Sequence, residues 1–316
     1  MRAIFISDVH MHLWKNHNPN NRRVRLQMEA VESVFKIAFS NKVPIVFGGD
    51  FFHDPDSLNN GLISLINPWL VDLFFRYPVE MYGISGNHDM EETNSFKKRS
   101  PSYIKTLSNT IKNLHCIDFR SVELGTMAIH GVPYLTQNEG IMEYINSIEI
   151  SPKKFNILLL HTDFKGQKDT SGYEVGKGAE IIEEELSRFS IVVSGHIHKK
   201  GRIRDSIYSI GSPYQLRTSD IGGDFGYWIL SDNFKMKFKS LKNGPKFTHE
   251  DPTDPTEFKV PKPMDKVELM KESKTIDLSN KPRLIKDYIK WLGDKSKNRS
   301  KYLLNLIERV EQDEES

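Results

Sequence analysis

Ligand-type side chains follow five short apolar segments of this chain. The segment 189–193 runs into Ser-Gly and then His196 and His198, and the segment 3–6 is followed by Asp8 and His10. Three further segments share this arrangement, with Asp50 after 43–47, Asn87, His88 and Asp89 after 79–84, and His161 after 156–160. Carboxylates and imidazoles together suit Mn, Fe or Zn, and a carboxylate can bridge two such ions. The sequence therefore predicts a metal centre.

The spacing of these residues strengthens the metal prediction. In Asp-x-His and His-x-His both side chains of an extended segment point to one face, because side-chain direction repeats every two residues. A lone histidine at a strand end is usually a satisfied polar residue, but five such ends in one chain favour shared ligation. The other histidines fit no such pattern and are predicted to be surface or core residues: His12, His17, His115, His130 and His249.

The elements that carry these residues alternate between strand and helix. Helical spacing predicts helices over 22–41 and 58–75, and short apolar strands over 3–6, 43–47 and 79–84 separate them. This alternation is typical of an α/β sheet that is parallel at its centre, with its ligand site beyond the carboxyl ends of the strands.

The middle of the chain predicts a second group of strands. These strands and their helices cover 115–117, 121–124, 127–131, 139–146 (helix), 156–160, 180–186 (helix) and 191–193. Four segments within 202–241 are predicted to close the fold as antiparallel strands. Two groups of strands with helices outside predict a four-layer α/β/β/α sandwich with a short C-terminal helical appendage.

Composition indicates the compartment and the domain division. The 316 residues carry a net charge of +2 and one cysteine, Cys116, so no internal disulfide is expected and a reducing interior is favoured. The start of the chain does not read as a signal peptide, and no apolar run reaches the roughly 18 residues of a membrane span, so we expect a cytoplasmic protein, in the host cytoplasm if viral. We predict a main domain over 1–243, a Pro-rich extended linker over 244–280 and a helix pair over 281–316.

The order D-x-H, G-G-D, G-N-H-D, H and G-H-x-H resembles that of the calcineurin-like metallophosphoesterases over about residues 1–241. The resemblance implies one metal site of Asp8, His10 and His198, a second of Asn87, His161 and His196, and Asp50 bridging the two. It also implies that His88 is catalytic, with Asp89 orienting its ring, and that a hydroxide attacks phosphorus in line. The metals would lower the pKa of the attacking water.

Two segments are similar to the SbcD and Mre-type DNA-repair nucleases and their phage recombination counterparts. In GGDFFH, residues 48–53, the resemblance implies that His53 assists catalysis and that the metal is manganese. In GSPYQLRTSDIG, residues 211–222, Tyr214 would stack on a base and Arg217 would meet a phosphate, or both would pack the loop. The loop 163–178 is expected to line the cleft, with a phosphate-backbone contact or as mobile surface.

The end of the chain fits the same resemblance. Residues 281–301 carry eight basic side chains against Asp287 and Asp294. In the nuclease family a C-terminal helix pair docks on an SMC-like ATPase of the SbcC type, and members dimerise through early helices, which makes 58–75 a candidate surface. Two departures stand out, since little room follows Leu241 for a capping domain and the loop 11–23 is unusual.

The leading prediction is a metal-dependent DNA nuclease, exo- or endonucleolytic, that acts with an ATPase in repair or recombination. The alternatives are a small-substrate phosphodiesterase or phosphomonoesterase of the same fold, and a scaffold subunit with weak catalysis. The basic C-terminal segment and the GGDFFH segment favour DNA over a small molecule, and the intact His88 and full ligand set count against an inactive scaffold.

Overall fold

The computed structural model of the chain describes residues 1–16, 18–54, 60–90, 101–135, 138–174 and 183–262. Within these ranges it has fourteen strands and five α-helices. The strands are β1 (Ala3–Ile6), β2 (Ile45–Phe47), β3 (Met81–Gly83), β4 (Leu114–Cys116), β5 (Arg120–Leu124), β6 (Met127–Val132), β7 (Phe155–His161), β8 (Ile191–Gly195), β9 (Gly201–Arg204), β10 (Ile207–Ser209), β11 (Gly226–Leu230), β12 (Met236–Ser240), β13 (Lys246–Thr248) and β14 (Glu257–Lys259). The helices are α1 (Arg22–Asn41), α2 (Asn60–Arg76), α3 (Tyr103–Ser108), α4 (Asn138–Ser147) and α5 (Glu183–Leu186).

Two six-stranded sheets form the centre of the fold. The first has the order β12-β11-β1-β2-β3-β4, and the second has the order β5-β6-β7-β8-β10-β9. In the first sheet β1 to β4 are parallel, and β11 and β12 are antiparallel additions at one side. In the second sheet β6, β7, β8 and β10 are parallel between antiparallel edge strands. Parallel strands bring their carboxyl ends to one edge, which is where the predicted ligands follow them.

Side-chain alternation along the strands creates the four layers. On β1, Phe5 faces an apolar layer shared with Ile129 and Leu159 of the second sheet, so this layer lies between the sheets. Ile4 and Ile6 point the other way and pack with α1, α2 and α3. On β7, Leu158 and Leu160 pack in a further cluster with α4 and α5. The predicted α/β/β/α sandwich is therefore confirmed.

The closing strands differ from the prediction. The four segments within 202–241 were expected to be one antiparallel set, but β10 runs parallel to β8 in the second sheet. β11 and β12 instead return to the first sheet, where β11 pairs antiparallel with β1. Burial explains the division, because Trp228 of β11 packs between the sheets and its Nε1–H donates to the Ile210 carbonyl at 3.1 Å.

The start of the predicted linker is folded where the structure describes it. Strands β13 and β14 pair in parallel, and their residues Phe247 and Phe258 pack with Leu26 of α1. Residues 263–280 of the predicted linker and the predicted helix pair over 281–316 lie outside the described residues. Within the described ranges, no helix has the length and apolar character that crossing a membrane requires.

Candidate metal centre

The predicted ligands follow the carboxyl ends of strands in both sheets and lie in contact with one another. The His196 backbone N–H, after β8, donates to Asp8 Oδ1, after β1, at 3.0 Å. His161, the last residue of β7, has its Nε2 3.3 Å from Asp50 Oδ2, which follows β2. Contacts of this kind between residues more than 100 positions apart bring all five strand ends into one site.

The first group of ligand atoms contains Asp8, His10 and His198. One ligand atom from each lies within 4.8 Å of the others. The Nε2 atoms of His10 and His198 are 3.1 Å apart, and His10 Nε2 is 3.5 Å from Asp50 Oδ2. The structure therefore brings together the three residues that the family resemblance assigned to the first metal.

The second group contains Asp50, His161 and His196, again with ligand atoms within 4.8 Å of one another. Asn87 lies between the two rings, with its Oδ1 3.1 Å from His161 Nε2 and 3.0 Å from His196 Nδ1. Asp50 Oδ2 is close to both His10 and His161, one from each group. The shared carboxylate oxygen is the arrangement that a bridging ligand needs.

The backbone reaches this arrangement through a strained conformation. Asp8, His10, Asp50 and His196 have φ values of 55°, 48°, 60° and 85°, in the left-handed region that residues with a Cβ seldom adopt. Such residues cost on the order of 1–3 kcal/mol each and persist where the surrounding structure holds them. The strain turns the side chains of these short loops inward to the site.

Outer hydrogen bonds fix which ring nitrogen faces the site. His161 Nδ1 donates to the Gly48 carbonyl at 2.6 Å, which leaves Nε2, the nitrogen beside Asn87 and Asp50, as the ring atom that could bind a metal. His10 Nε2 faces the two groups, and its Nδ1 is 3.4 Å from His53 Nδ1. Ligating histidines commonly use the second ring nitrogen in this way, and the outer contact sets ring orientation.

The residues present fit a pair of divalent cations. Asp8 Oδ2 is buried, and the residues that the structure describes give it no hydrogen-bond partner. Burial raises the pKa of Asp8 to about 7 and lowers the pKa of both His196 and His198 to about 4. Burial opposes a charge on His161, yet the Asp50 carboxylate raises the pKa of that ring to about 9. The neutral imidazoles of His196 and His198 and the unpaired Asp8 oxygen are what a bound cation would satisfy. A cation would also replace the proton that the Asp50 carboxylate favours on His161.

Two further histidines lie beside the first group. The rings of His53 and His88 stack at 5.5 Å between centroids with 10° between planes, and ligand atoms of both lie within 4.8 Å of His10. His88 Nδ1 donates to the His53 carbonyl, and the His88 backbone N–H donates to Asp50 Oδ1 at 2.9 Å. Burial, with His88 close by, lowers the pKa of His53 to about 4. The residues predicted to be catalytic are therefore adjacent to the ligand groups.

Asp89 has a different role from the predicted one. Its Oδ2 accepts from the backbone N–H groups of Asp50 at 2.8 Å and Gly86 at 2.9 Å, and its Oδ1 accepts from Phe51 at 2.8 Å. Among the described residues these are its hydrogen bonds, and none goes to the His88 ring. Asp89 therefore connects the loop after β3 to the loop after β2, because its carboxylate accepts hydrogen bonds from backbone N–H groups of both loops.

The two residues of the segment 211–222 that were predicted to contact DNA differ in exposure. Tyr214 is 2% exposed and its hydroxyl donates to the Val9 carbonyl at 2.6 Å, so it packs the loop and does not present a face to a base. Arg217 is exposed, and its charge contributes to lowering the pKa of both His53 and His198, after burial, which is the larger cause. Arg217 therefore lies at the rim of the site, and Tyr214 does not.

Two residues near the centre were not predicted. His12, taken as a surface or core residue, has its Nδ1 3.3 Å from Asp54 Oδ2 and its ring 5.4 Å from that of His53. The Asp-x-His-x-His spacing would have found it, since it continues the period of two. Tyr134, after β6, has its ring 5.6 Å from His196. The loop 163–178 is described as far as residue 174, and Asp163 adds to burial in raising the pKa of Tyr134.

Sequence comparisons with known proteins point to the phosphoesterases. A family model described as calcineurin-like phosphoesterase matches residues 1–200. A protein provisionally named phosphoesterase 244L, from Invertebrate iridescent virus 6, is 27% identical over 174 residues, which are 54% of this chain and 57% of that protein. The chain thus matches a little over half the length of this relative.

Two solved structures also match the chain, at low identity and low structural similarity. A dimetal phosphatase from Danio rerio has a TM-score of 0.45 and 11% identity, over 72% of this chain and 90% of that one. GAP50, the anchor in the inner membrane complex of Plasmodium, has a TM-score of 0.40 and 10% identity, over 77% and 79%. The family model spans more than half of the chain and includes every predicted metal ligand. The chain belongs to the calcineurin-like phosphoesterase family.

Proposed function

We propose that this metallophosphoesterase is a nuclease that hydrolyses phosphodiester bonds of DNA at a two-metal centre. The observation that carries the hydrolytic part is Asp50 Oδ2, which lies 3.5 Å from His10 and 3.3 Å from His161 and so belongs to both ligand groups. When bound, two divalent cations, which we propose are Mn²⁺, activate water and stabilise charge on the phosphoryl oxygens. The remaining chemistry falls to the side chains around them.

His88 and His53 differ in which ring nitrogen carries the hydrogen. His88 Nδ1–H donates to the His53 carbonyl, so its Nε2 is the nitrogen that exchanges a proton. When His10 Nε2 faces the cations, its Nδ1–H donates to His53 Nδ1, and His53 carries its proton on Nε2. We therefore assign His88 as the acid that protonates the leaving oxygen and His53 as a neutral hydrogen-bond donor to the substrate. General acid catalysis of this kind contributes about 10²- to 10⁴-fold.

Two features support DNA as the substrate. Arg217 is an exposed cation at the rim, where its charge acts on both His53 and His198. Arginine side chains commonly contact DNA phosphates, so Arg217 would hold a phosphate of the polymer next to the one that is cleaved. The basic segment 281–301, outside the described residues, would add sequence-independent affinity. We propose the same segment as the contact for an SMC-like ATPase.

A homodimer is part of the proposal. On α2, Val71 and Phe75 are 54% and 85% exposed, four residues apart and so on one face of the helix. Apolar side chains exposed on one helix face support pairing with a second copy. Sedimentation of the wild type and Phe75→Glu tests this: we expect a dimer that dissociates in the variant, and a monomeric wild type would contradict it.

The function is tested by cleavage of linear double-stranded and single-stranded DNA with Mn²⁺, in parallel with bis-p-nitrophenyl phosphate and p-nitrophenyl phosphate. The variants are His88→Ala and the matched control His115→Ala, whose ring pairs with Glu80 before β3. We expect DNA cleavage that only His88→Ala abolishes.

Other outcomes reject the DNA assignment in distinct ways. Hydrolysis of a small ester alone, also when the ATPase is added, would identify a small-substrate phosphodiesterase or phosphomonoesterase. Two bound metals without any hydrolysis would identify a scaffold subunit.

A further inference from the structure

Four side chains form a column that ends at His53 and His88. The other two members are Trp14, in the unusual loop after β1, and Arg23, at the start of α1. The Arg23 guanidinium carbon lies 3.7 Å from the centroid of the Trp14 ring. The Trp14 ring is 4.6 Å from the His53 ring, and His53 stacks on His88 at 5.5 Å. We call Arg23, Trp14, His53 and His88 the histidine column.

Trp14 is held in place on its edge as well as on its face. Its Nε1–H donates to Gln27 Oε1 at 3.3 Å, and the fully buried Gln27 amide donates in turn to the His10 carbonyl at 3.2 Å. The indole is thus connected to the backbone of a metal ligand. His12, which pairs with Asp54, also touches the indole edge-on, with centroids 4.8 Å apart.

Arg23 is buried, which is unusual for a charged side chain that forms no ion pair within the described part of the chain. It is 4% exposed, its Nη2 donates to the Leu216 carbonyl at 2.7 Å, and its guanidinium also lies 4.9 Å from the ring of Phe247. Burying a charge is costly unless its surroundings compensate, and here the two aromatic faces and the charge of the Asp220 carboxylate offset part of that cost. Arg23 therefore fixes the outer face of Trp14 and joins it to β13 and to the residue before Arg217.

We propose that Trp14 and Arg23 are positioning residues for catalysis, which hold the His53 imidazole against His10 and His88. This inference rests on the proposed function only in giving His53 a role in phosphoester hydrolysis. The His53 ring has its Nδ1 at His10 and one face at His88, and Trp14 closes the side away from the ligands. Without the indole the ring is free to rotate away from His10, and the donor on its Nε2 is lost to the substrate.

The kinetic test uses bis-p-nitrophenyl phosphate, which does not depend on DNA being the substrate. Trp14→Leu removes the aromatic face, and Trp14→Phe keeps it. The matched control is Trp69→Leu, because Trp69 is also a half-buried tryptophan but lies on α2. We expect Trp14→Leu to lower kcat about ten- to a hundredfold with KM little changed, since displacing a catalytic group by about 1 Å has an effect of this size. Trp14→Phe should recover most of the loss, and Trp69→Leu should stay within about twofold of wild type.

The position of the His53 ring is read directly from the histidine NMR signals of the full chain labelled with ¹³C-histidine. The His53 ring ¹H–¹³C signal, assigned with His53→Gln, should shift in Trp14→Leu and in Arg23→Met, and the His115 signal should not. This readout needs no catalytic activity, so it separates failure of the column from failure of the proposed function. An unmoved His53 signal in both folded variants, or an equal kinetic loss in Trp14→Leu and Trp69→Leu, would overturn the proposal.

Discussion

Replacing Gly86 by alanine tests whether the second ligand group depends on close backbone approach. A Cβ on Gly86 would lie 2.5 Å from the Asp50 backbone nitrogen and 2.7 Å from His161 Cε1, and it would overlap the Asp50 carboxylate as well. Real Cβ atoms essentially never come closer than 3.0 Å, so the Asp50 backbone must retreat by about 0.5 Å. Both displaced residues belong to the second group, and Asp50 is the ligand that the two groups share.

The expected result is a protein that folds but loses its second cation and its activity. Overpacking of this kind costs about 1–3 kcal/mol of stability, and misplacement on the ångström scale lowers kcat by up to about a hundredfold. Gly201→Ala is the matched control, because a Cβ at Gly201 meets no atom within 4 Å. The assay combines metal content, thermal unfolding and hydrolysis of bis-p-nitrophenyl phosphate. A Gly86→Ala protein with two cations and wild-type kcat would refute the reasoning.

Three further predictions follow from the site. Because burial raises the pKa of Asp8 to about 7, protons should compete with the cation as the pH falls below 7. Calorimetry should show metal affinity falling by up to tenfold per pH unit, and an affinity that stays constant from pH 8 to 5.5 would contradict this. Saturating Mn²⁺ should raise the unfolding free energy by about 2.7 kcal/mol per site at a hundred times Kd, and a melting temperature indifferent to chelator would count against the site. Arg217→Ala should reduce the slope of log affinity for DNA against log salt concentration by about 1. The control Arg76→Ala, which removes an arginine paired with Glu32 on the helical face, should leave that slope unchanged. Equal slopes in the two variants would exclude Arg217 from the DNA contact.

The strand ends were predictable because parallel strands impose a common edge. Asp8, Asp50 and His161 each follow an apolar run that local sequence identifies, and the carboxyl ends of such strands must meet. The helix over 22–41 was predicted with the bounds that the structure has, since its apolar residues keep a regular helical period. Local pattern therefore located the candidate ligands and the layers, whereas the division of those ligands into two metal sites came from the family resemblance.

Contacts between distant segments were not predictable in the same way. The Tyr214 ring packs in the apolar core, where its hydroxyl donates to the Val9 carbonyl, 205 residues away. Nothing in the segment 211–222 signals that partner. Phe247 and Phe258 lie in a segment rich in Pro and charge, and their packing with Leu26 and Val260 makes it a folded part of the domain. Asp89 likewise serves three backbone amides that become free only when two loops meet.

Anomalous diffraction from crystals grown with Mn²⁺ tests the central claim most directly. We expect two peaks about 3.5–4 Å apart, one beside Asp8, His10 and His198 and one beside Asn87, His161 and His196, with Asp50 in contact with both. A single peak, or a second peak held by His53 and His88 while Asp50 contacts only one ion, would contradict the account.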